Sequence, residues 1–275
     1  EHYSDKILGN FYANASVFSK YVDGGARIEY LQHPLPGFEQ AFKGWGLANI
    51  FVKGKYRNCE LTLGDFYEQF GSGFILRTYE ERSLGIDNSI RGARVKVNAV
   101  KGLRLTALGG VQRRFWDWDM RTKIAGADAE AALEQYSQAL RDRNISWSIG
   151  ASYVFKHEKD EDIIVPGTNY KLNLPLDVHS FDIRTHFNRN AWDFLGEFAW
   201  KGSDPSADNN YTYRTGTAVM LSGSYAKKGF SALVQAKRSE NMAFRSKRTQ
   251  TLTAAFLNNM PAFAYQHTYA LAAKY

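Results

Sequence analysis

The stretch Ile145-Ser-Trp-Ser-Ile-Gly-Ala-Ser-Tyr-Val-Phe-Lys156 decides how this chain is read. Ile145, Trp147, Ile149, Ala151, Tyr153 and Phe155 fall on one face of an extended strand, and Ser146, Ser148, Gly150 and Ser152 on the other. Successive side chains of a strand point to opposite faces, whereas a helix would scatter both sets around its circumference. The same period of two recurs at 178–187, where Phe181, Ile183 and Phe187 oppose Ser180, Asp182, Arg184 and His186. At 191–202, Trp192, Phe194, Gly196, Phe198 and Trp200 oppose Asp193, Glu197 and Lys201. Further segments of this kind cover 7–18, 24–33, 45–57, 59–70, 92–101, 103–115, 215–227, 229–240 and 265–275.

The segments are joined in two ways. Short turns fall at Arg57-Asn58, Lys101-Gly102, Asn188-Arg189-Asn190 and Lys227-Lys228-Gly229, with Asn or Gly where a tight hairpin needs positive φ. Long polar connections run over 34–44, 157–177, 203–214 and 241–264. Short turns at one end and long loops at the other characterise an up-and-down barrel in a membrane. Keeping that alternation requires one more strand near 118–128, where Met120, Thr122, Ile124 and Gly126 alternate with Asp119, Arg121, Lys123 and Ala125. The following 130–143 is expected to be a short helix on the short-turn side, because Leu133, Tyr136 and Leu140 recur at helical spacing. The expected fold is therefore all-β: one antiparallel up-and-down transmembrane β-barrel domain over 1–275, with about thirteen strands. An odd number of strands and a first residue that is Glu rather than Met point to an incomplete barrel, cut from a longer chain or processed from one.

Composition agrees. Of 275 residues, 44% are apolar and 23% charged, with 18 Phe, 16 Tyr, 6 Trp, 23 Gly and only 6 Pro, a β-rich mixture that is not that of a disordered chain. No run approaches the ~18 apolar residues of a spanning helix, whereas a spanning strand needs only ~10 alternating ones. The single cysteine, Cys59, excludes an intrachain disulfide framework and any multi-cysteine metal site. A net charge of +7 could suit nucleic acid, anionic lipid or an anionic solute, but its spread along the chain speaks against nucleic acid; the expected partners are outer-membrane lipid and other envelope proteins reached through the long loops. Alternation alone leaves open whether the apolar face looks into a soluble core or out to lipid. Aromatics near strand ends, Trp45, Trp116, Trp192, Trp200 and Tyr225, favour lipid, as interfacial girdles.

The segment Leu63-Gly-Asp-Phe-Tyr-Glu-Gln-Phe-Gly-Ser-Gly-Phe-Ile-Leu-Arg-Thr-Tyr-Glu-Glu-Arg-Ser-Leu-Gly-Ile-Asp-Asn-Ser-Ile-Arg-Gly-Ala-Arg94 resembles part of a family of uncharacterised outer-membrane proteins of Bacteroidota, as does Ile124-Ala-Gly-Ala-Asp128. The resemblance is most specific over 63–97. It implies an outer-membrane location and a barrel longer than this chain, and it implies no catalytic or ligand residues.

That segment also holds the densest charge cluster: Asp65, Glu68, Arg77, Glu80, Glu81, Arg82, Asp87, Arg91 and Arg94. In a lumen these residues either pair and stiffen the wall or line an ion-selective path. Phe70-Gly-Ser-Gly-Phe74 lacks the Lys-Ser/Thr of a phosphate loop and reads as a bulge or bend in a long strand. His179 and His186 fall on opposite faces and cannot share a metal, so no cofactor is expected. The expected function is non-enzymatic: a channel or transporter, or a scaffold in an envelope complex. Two other readings stand beside it: a soluble β-rich carbohydrate-binding module using Trp and Tyr platforms, and an outer-membrane lipid hydrolase built on His179 and His267.

Overall fold

A computed structural model describes residues 9–33, 43–81, 86–114, 117–118, 120–159, 161–164, 169–250 and 255–260. The first half forms β1 (Asn10–Phe18), β2 (Val22–Leu31), β3 (Gly44–Tyr56), β4 (Cys59–Phe66), the two-residue strands β5 (Glu80–Glu81) and β6 (Ile86–Asp87), β7 (Ile90–Val100), β8 (Leu103–Arg114) and β9 (Asp117–Trp118). The second half forms β10 (Thr122–Ala132), a 3-10 turn at Leu133–Gln135, α1 (Gln138–Asp142), β11 (Ile145–Glu158), β12 (Asp177–Arg189), β13 (Trp192–Lys201), a 3-10 turn at Ala207–Asn209, β14 (Gly216–Lys227) and β15 (Phe230–Glu240). The long strands pair antiparallel in chain order, β1-β2-β3-β4-β7-β8-β10-β11-β12-β13-β14-β15, with β9 on β8. The fold is an all-β, up-and-down antiparallel sheet. Among the described residues, β1 pairs only with β2 and β15 only with β14.

Two expectations change. The strand β10 runs on to Ala132, so the helix is only the five residues of α1 behind a 3-10 turn. Register explains this: Asp128 and Glu130 lie across from Thr106 and Arg104, and Glu130 pairs with Arg104 at 2.7 Å, which holds the ladder past the point where helical spacing begins. The segment 59–70 is not one long strand, since β4 stops at Phe66 and the Gly-Ser-Gly stretch forms the tip of a separate hairpin. Gly64 initiates the departure with φ +100°, and a Cβ there would press on the Ile50 carbonyl oxygen of β3. The strand expected at 265–275 lies outside the described residues.

The hairpin shows that the sheet is curved. It closes through Gln69 and Arg77, with the Phe70 N–H donating to the Leu76 carbonyl at 3.0 Å, and its tip residue Ser72 bonds Glu197 of β13. Along the sheet β13 is six strand steps from β4, or about 29 Å if flat. From Phe66 to Ser72 the chain extends at most ~22 Å, so the sheet must wrap around the hairpin for the contact to form.

The Gly64→Ala variant is expected to lose about 1–3 kcal/mol of unfolding free energy through backbone strain and the clash. Gly54→Ala, whose added methyl meets nothing within 4 Å, should stay within about 0.5 kcal/mol. Denaturant titration of the folded full-length protein in lipid vesicles checks both.

Candidate functional site

Burial along each strand resolves which face is which. On β13 the even residues Trp192, Phe194 and Phe198 are 43–49% exposed, while Glu197, Ala199 and Lys201 are at most 3% exposed. On the neighbouring strands Phe181, Ile183, Val219 and Leu221 are exposed, while Ser180, Asp182, Ala218 and Met220 are buried. The sheet turns its apolar face outward to the surroundings and its polar face inward, the reverse of a soluble sandwich.

The outward aromatics form two rows. At the long-loop end Trp45 packs on Tyr30 at 4.8 Å and Phe11 at 5.9 Å, and Phe181 bridges Tyr153 and Trp200 at 5.1 and 5.9 Å. At the short-turn end Trp192 packs on Tyr225 at 4.7 Å and Phe194 at 5.6 Å, and Tyr225 meets Phe230 at 6.1 Å. Trp192 and Trp200 sit eight residues apart on β13, roughly 27 Å along the strand. Trp116 lies outside the described residues. Among the described residues, Trp45 and Trp200 lie in one row and Trp192 in the other, and these three do not converge on one stacking platform. His179 shares the long-loop row, its Nδ1 bonded to the Tyr153 hydroxyl at 2.7 Å, while His267 lies outside the described residues.

The inner face encloses the hairpin 67–79 and the segments 202–209, 241–250 and 255–259. Phe70, Phe74, Ile75, Leu76, Met242, Phe244 and Leu257 from these segments form one apolar cluster with the inward Leu108, Ile124, Val154, Val178, Ala199 and Met220 of the wall. Three groups of charges hold these segments in place.

The first group centres on Arg27 of β2, which pairs with Glu29 at 2.6 Å, Glu80 at 2.8 Å and Asp87 at 3.1 Å. Arg113 of β8 and the Tyr67 hydroxyl also reach Asp87. Burial and the Asp87 carboxylate push the Tyr67 phenol well above its ordinary range, so it stays a neutral donor. Next to it, Arg94 of β7 joins Glu60 at 2.9 Å and Glu68 at 3.1 Å, and Lys96 joins Glu68 at 2.7 Å.

The second lies deepest. Lys156 of β11 bonds Asp204 at 2.8 Å and Glu158 at 3.2 Å, and Arg248 bonds Asp204 at 3.2 Å and Glu158 at 3.5 Å. Lys201 donates to the Ala243 carbonyl at 2.5 Å. Lys156 and Lys201 have no exposure to solvent, and their ammonium groups lie over the Phe244 ring at 5.5 and 5.8 Å. Burial raises the Asp204 carboxyl, but Lys156, Lys201 and Arg248 outweigh it and hold the group below its ordinary value.

The third surrounds the hairpin tip. Arg184 of β12 pairs with Asp128 at 2.7 Å and Asp182 at 3.2 Å, and the Ser72 N–H donates to Glu197 at 2.9 Å.

The charge cluster expected from sequence is therefore divided. Glu80 and Asp87 belong to the Arg27 group, and Glu68 and Arg94 to its neighbour. Asp65 and Arg91 form their own pair at 2.7 Å, with Asp65 also accepting from the Ile50 N–H. Arg77 stacks over Tyr79 at 5.5 Å, Glu81 is exposed, and Arg82 lies outside the described residues. Sequence reading missed Arg27, Arg113, Lys156, Glu158, Lys201, Asp204 and Arg248.

The family of unknown function DUF6029 matches residues 1–275. This chain belongs to that family. No curated protein matches the DUF6029 chain. Among solved structures it is similar to OpdK of Pseudomonas aeruginosa, in a crystal with vanillate, at 14% identity and TM-score 0.40, covering 86% of this chain and 77% of that one. It is also similar to OprB of Pseudomonas putida, at 12% identity and TM-score 0.47, covering 80% and 64%. A BenF-like porin of Pseudomonas fluorescens Pf-5 aligns at 10% identity and TM-score 0.36, covering 84% and 86%. At this distance the likeness is one of sheet architecture, and the assignment of faces rests on the DUF6029 chain itself.

Removing one partner from a buried ion cluster leaves charge uncompensated and costs about 3–5 kcal/mol. The Arg248→Leu variant should lose stability of that order and become cleavable within 202–215 by added protease. In the unaltered protein, the Asp204 contribution is complete above its unfolded value near 3.8 and is lost as pH falls through the lower folded value. Protection of 202–215 should therefore persist at pH 4.5 and fail only in stronger acid.

Proposed function

We propose that this chain forms most of a single transmembrane β-barrel in a bacterial outer membrane of Bacteroidota type, serving as a channel for small solutes with a narrowed interior. The observation that carries the reading is the placement of the apolar face outward, between two aromatic rows, while ionisable side chains and inturned segments occupy the inside. A soluble carbohydrate-binding module would bury the apolar face instead. Membrane lipid is the partner of the outer face.

The residues 241–250 and 255–259 favour traffic through the interior over capture of an external partner. Of these, Met242, Phe244 and Leu257 are committed to the inner cluster, which leaves them unavailable to a docking protein. A second reading is favoured by that same cluster: Phe70, Phe74 and Phe244 are at most 1% exposed and fill the interior, as in a scaffold barrel that conducts nothing. Neither reading assigns chemistry to a residue, and His179 serves the aromatic row in both.

Single-channel recording of the full-length protein in a planar bilayer separates them. Discrete conductance steps are expected, with larger steps for Arg248→Leu because the inturned segments loosen. A silent bilayer for both proteins would replace the channel with the scaffold.

A further inference from the structure

The hairpin tip rests on two carboxyl groups that face one another. Asp182 of β12 and Glu197 of β13 are diagonal neighbours on the inner face of paired strands, and Asp182 is 1% exposed. Among the described residues, no group donates to the Asp182 Oδ2 atom. Its Oδ1 accepts from Arg184 Nη1 at 3.2 Å, and Arg184 is shared with Asp128 at 2.7 Å and Ser152 at 2.7 Å. Glu197 accepts from the Ser72 N–H at 2.9 and 3.1 Å and from the Ser72 hydroxyl. Gly71 fits between them: a Cβ there would lie 2.6 Å from Glu197 Oε1, 3.2 Å from Asp182 Oδ1 and 3.2 Å from Arg184 Cδ.

Two buried carboxyl groups that converge on one glycine are held together most cheaply by a shared proton, because two adjacent carboxylates cannot both ionise at low cost. Among the described residues, Arg184 is the cation bonded to this pair. Arg184 already serves Asp128 and lies 3.5 Å from Glu130, which is itself paired with Arg104. The next cations along the inner wall, Lys156 and Lys201, are engaged with Asp204 and the Ala243 carbonyl.

We propose that one proton shared by Asp182 and Glu197 seats the Gly71-Ser72-Gly73 tip, so that the hairpin is a pH-sensitive gate across the inner face. With the proton present, Glu197 stays in position to accept both Ser72 hydrogen bonds. When it leaves, Asp182 and Glu197 repel, Glu197 is displaced and the tip is released. The seating stands on this geometry; the consequence for flow rests on the channel reading above.

The test is hydrogen exchange of the Ser72 amide in the full-length protein in lipid, corrected for intrinsic exchange, over a pH series. Ser72 protection is expected to be flat near neutrality and then to fall about tenfold per pH unit as the single proton is lost. Asp182→Asn keeps a neutral donor at that position and should hold protection flat into the alkaline range. Glu197→Gln removes the charged acceptor and should lower protection at every pH. Flat protection in the unaltered protein, or an alkaline fall undiminished in Asp182→Asn, overturns the proposal. Current recorded in parallel keeps the two claims apart. Protection that follows the predicted course in a silent bilayer upholds the proton-dependent seat and removes the channel, whereas current with flat protection removes the seat alone.

Discussion

A charge withdrawn from water must find its counter-charge within the protein, because desolvation costs several kcal/mol per ion. The inner face of this sheet carries Lys156 and Lys201 with no exposure to solvent, and no neighbouring wall residue alone can satisfy both. Their partners arrive on inturned chain: Asp204 from the connection after β13 for Lys156, and the Ala243 carbonyl from the connection after β15 for Lys201, while Arg248 of that connection also bonds Asp204. The wall and the segments it encloses are thus mutually dependent. Removing the segments would take Asp204 from Lys156 and the Ala243 carbonyl from Lys201, and removing Lys156 would leave Asp204 and Glu158 to Arg248.

The same dependence explains why the inside is not simply polar. Ion pairs fix where 202–209 and 241–248 run, and Phe70, Phe74, Phe244 and Leu257 then fill what space remains against Ile124, Val154 and Val178. Dispersion and apolar burial stabilise the packing, while charge specifies the register of loop on wall. At the hairpin tip the balance differs. Contact there is almost wholly polar, through Ser72, Glu197, Asp182 and Arg184, so it is the part of the interior most responsive to protons.

The wall was legible because period-two alternation is a local property. The residues Phe181, Ile183 and Phe187 identify an outward face without reference to the rest of the chain. The hairpin was not legible, since Phe66, Phe70 and Phe74 keep a spacing that also suits a strand. Only the positive φ at Gly64, Gly71 and Gly73 separates the two, and glycine at those positions was the available signal. The helix was overextended for a related reason: Leu133, Tyr136 and Leu140 have helical spacing, but the ion pair of Glu130 with Arg104 belongs to a different strand. The Asp204 and Arg248 partnership was invisible because its members stand 44 residues apart and meet only after the sheet has curved. Lys156 and Lys201, on the polar side of their strands near the long-loop ends, were the one hint of it.

The central claim is that the apolar face meets lipid. Leu221 tests it most directly, being 56% exposed and opposite Gly196, midway between Trp192 and Trp200. The measurement is the folding free energy of the full-length protein in phospholipid vesicles, with and without Leu221→Arg. A charge facing the bilayer midplane should cost about 2–4 kcal/mol. A change within about 0.5 kcal/mol, as at an ordinary water-exposed surface site, would contradict the account.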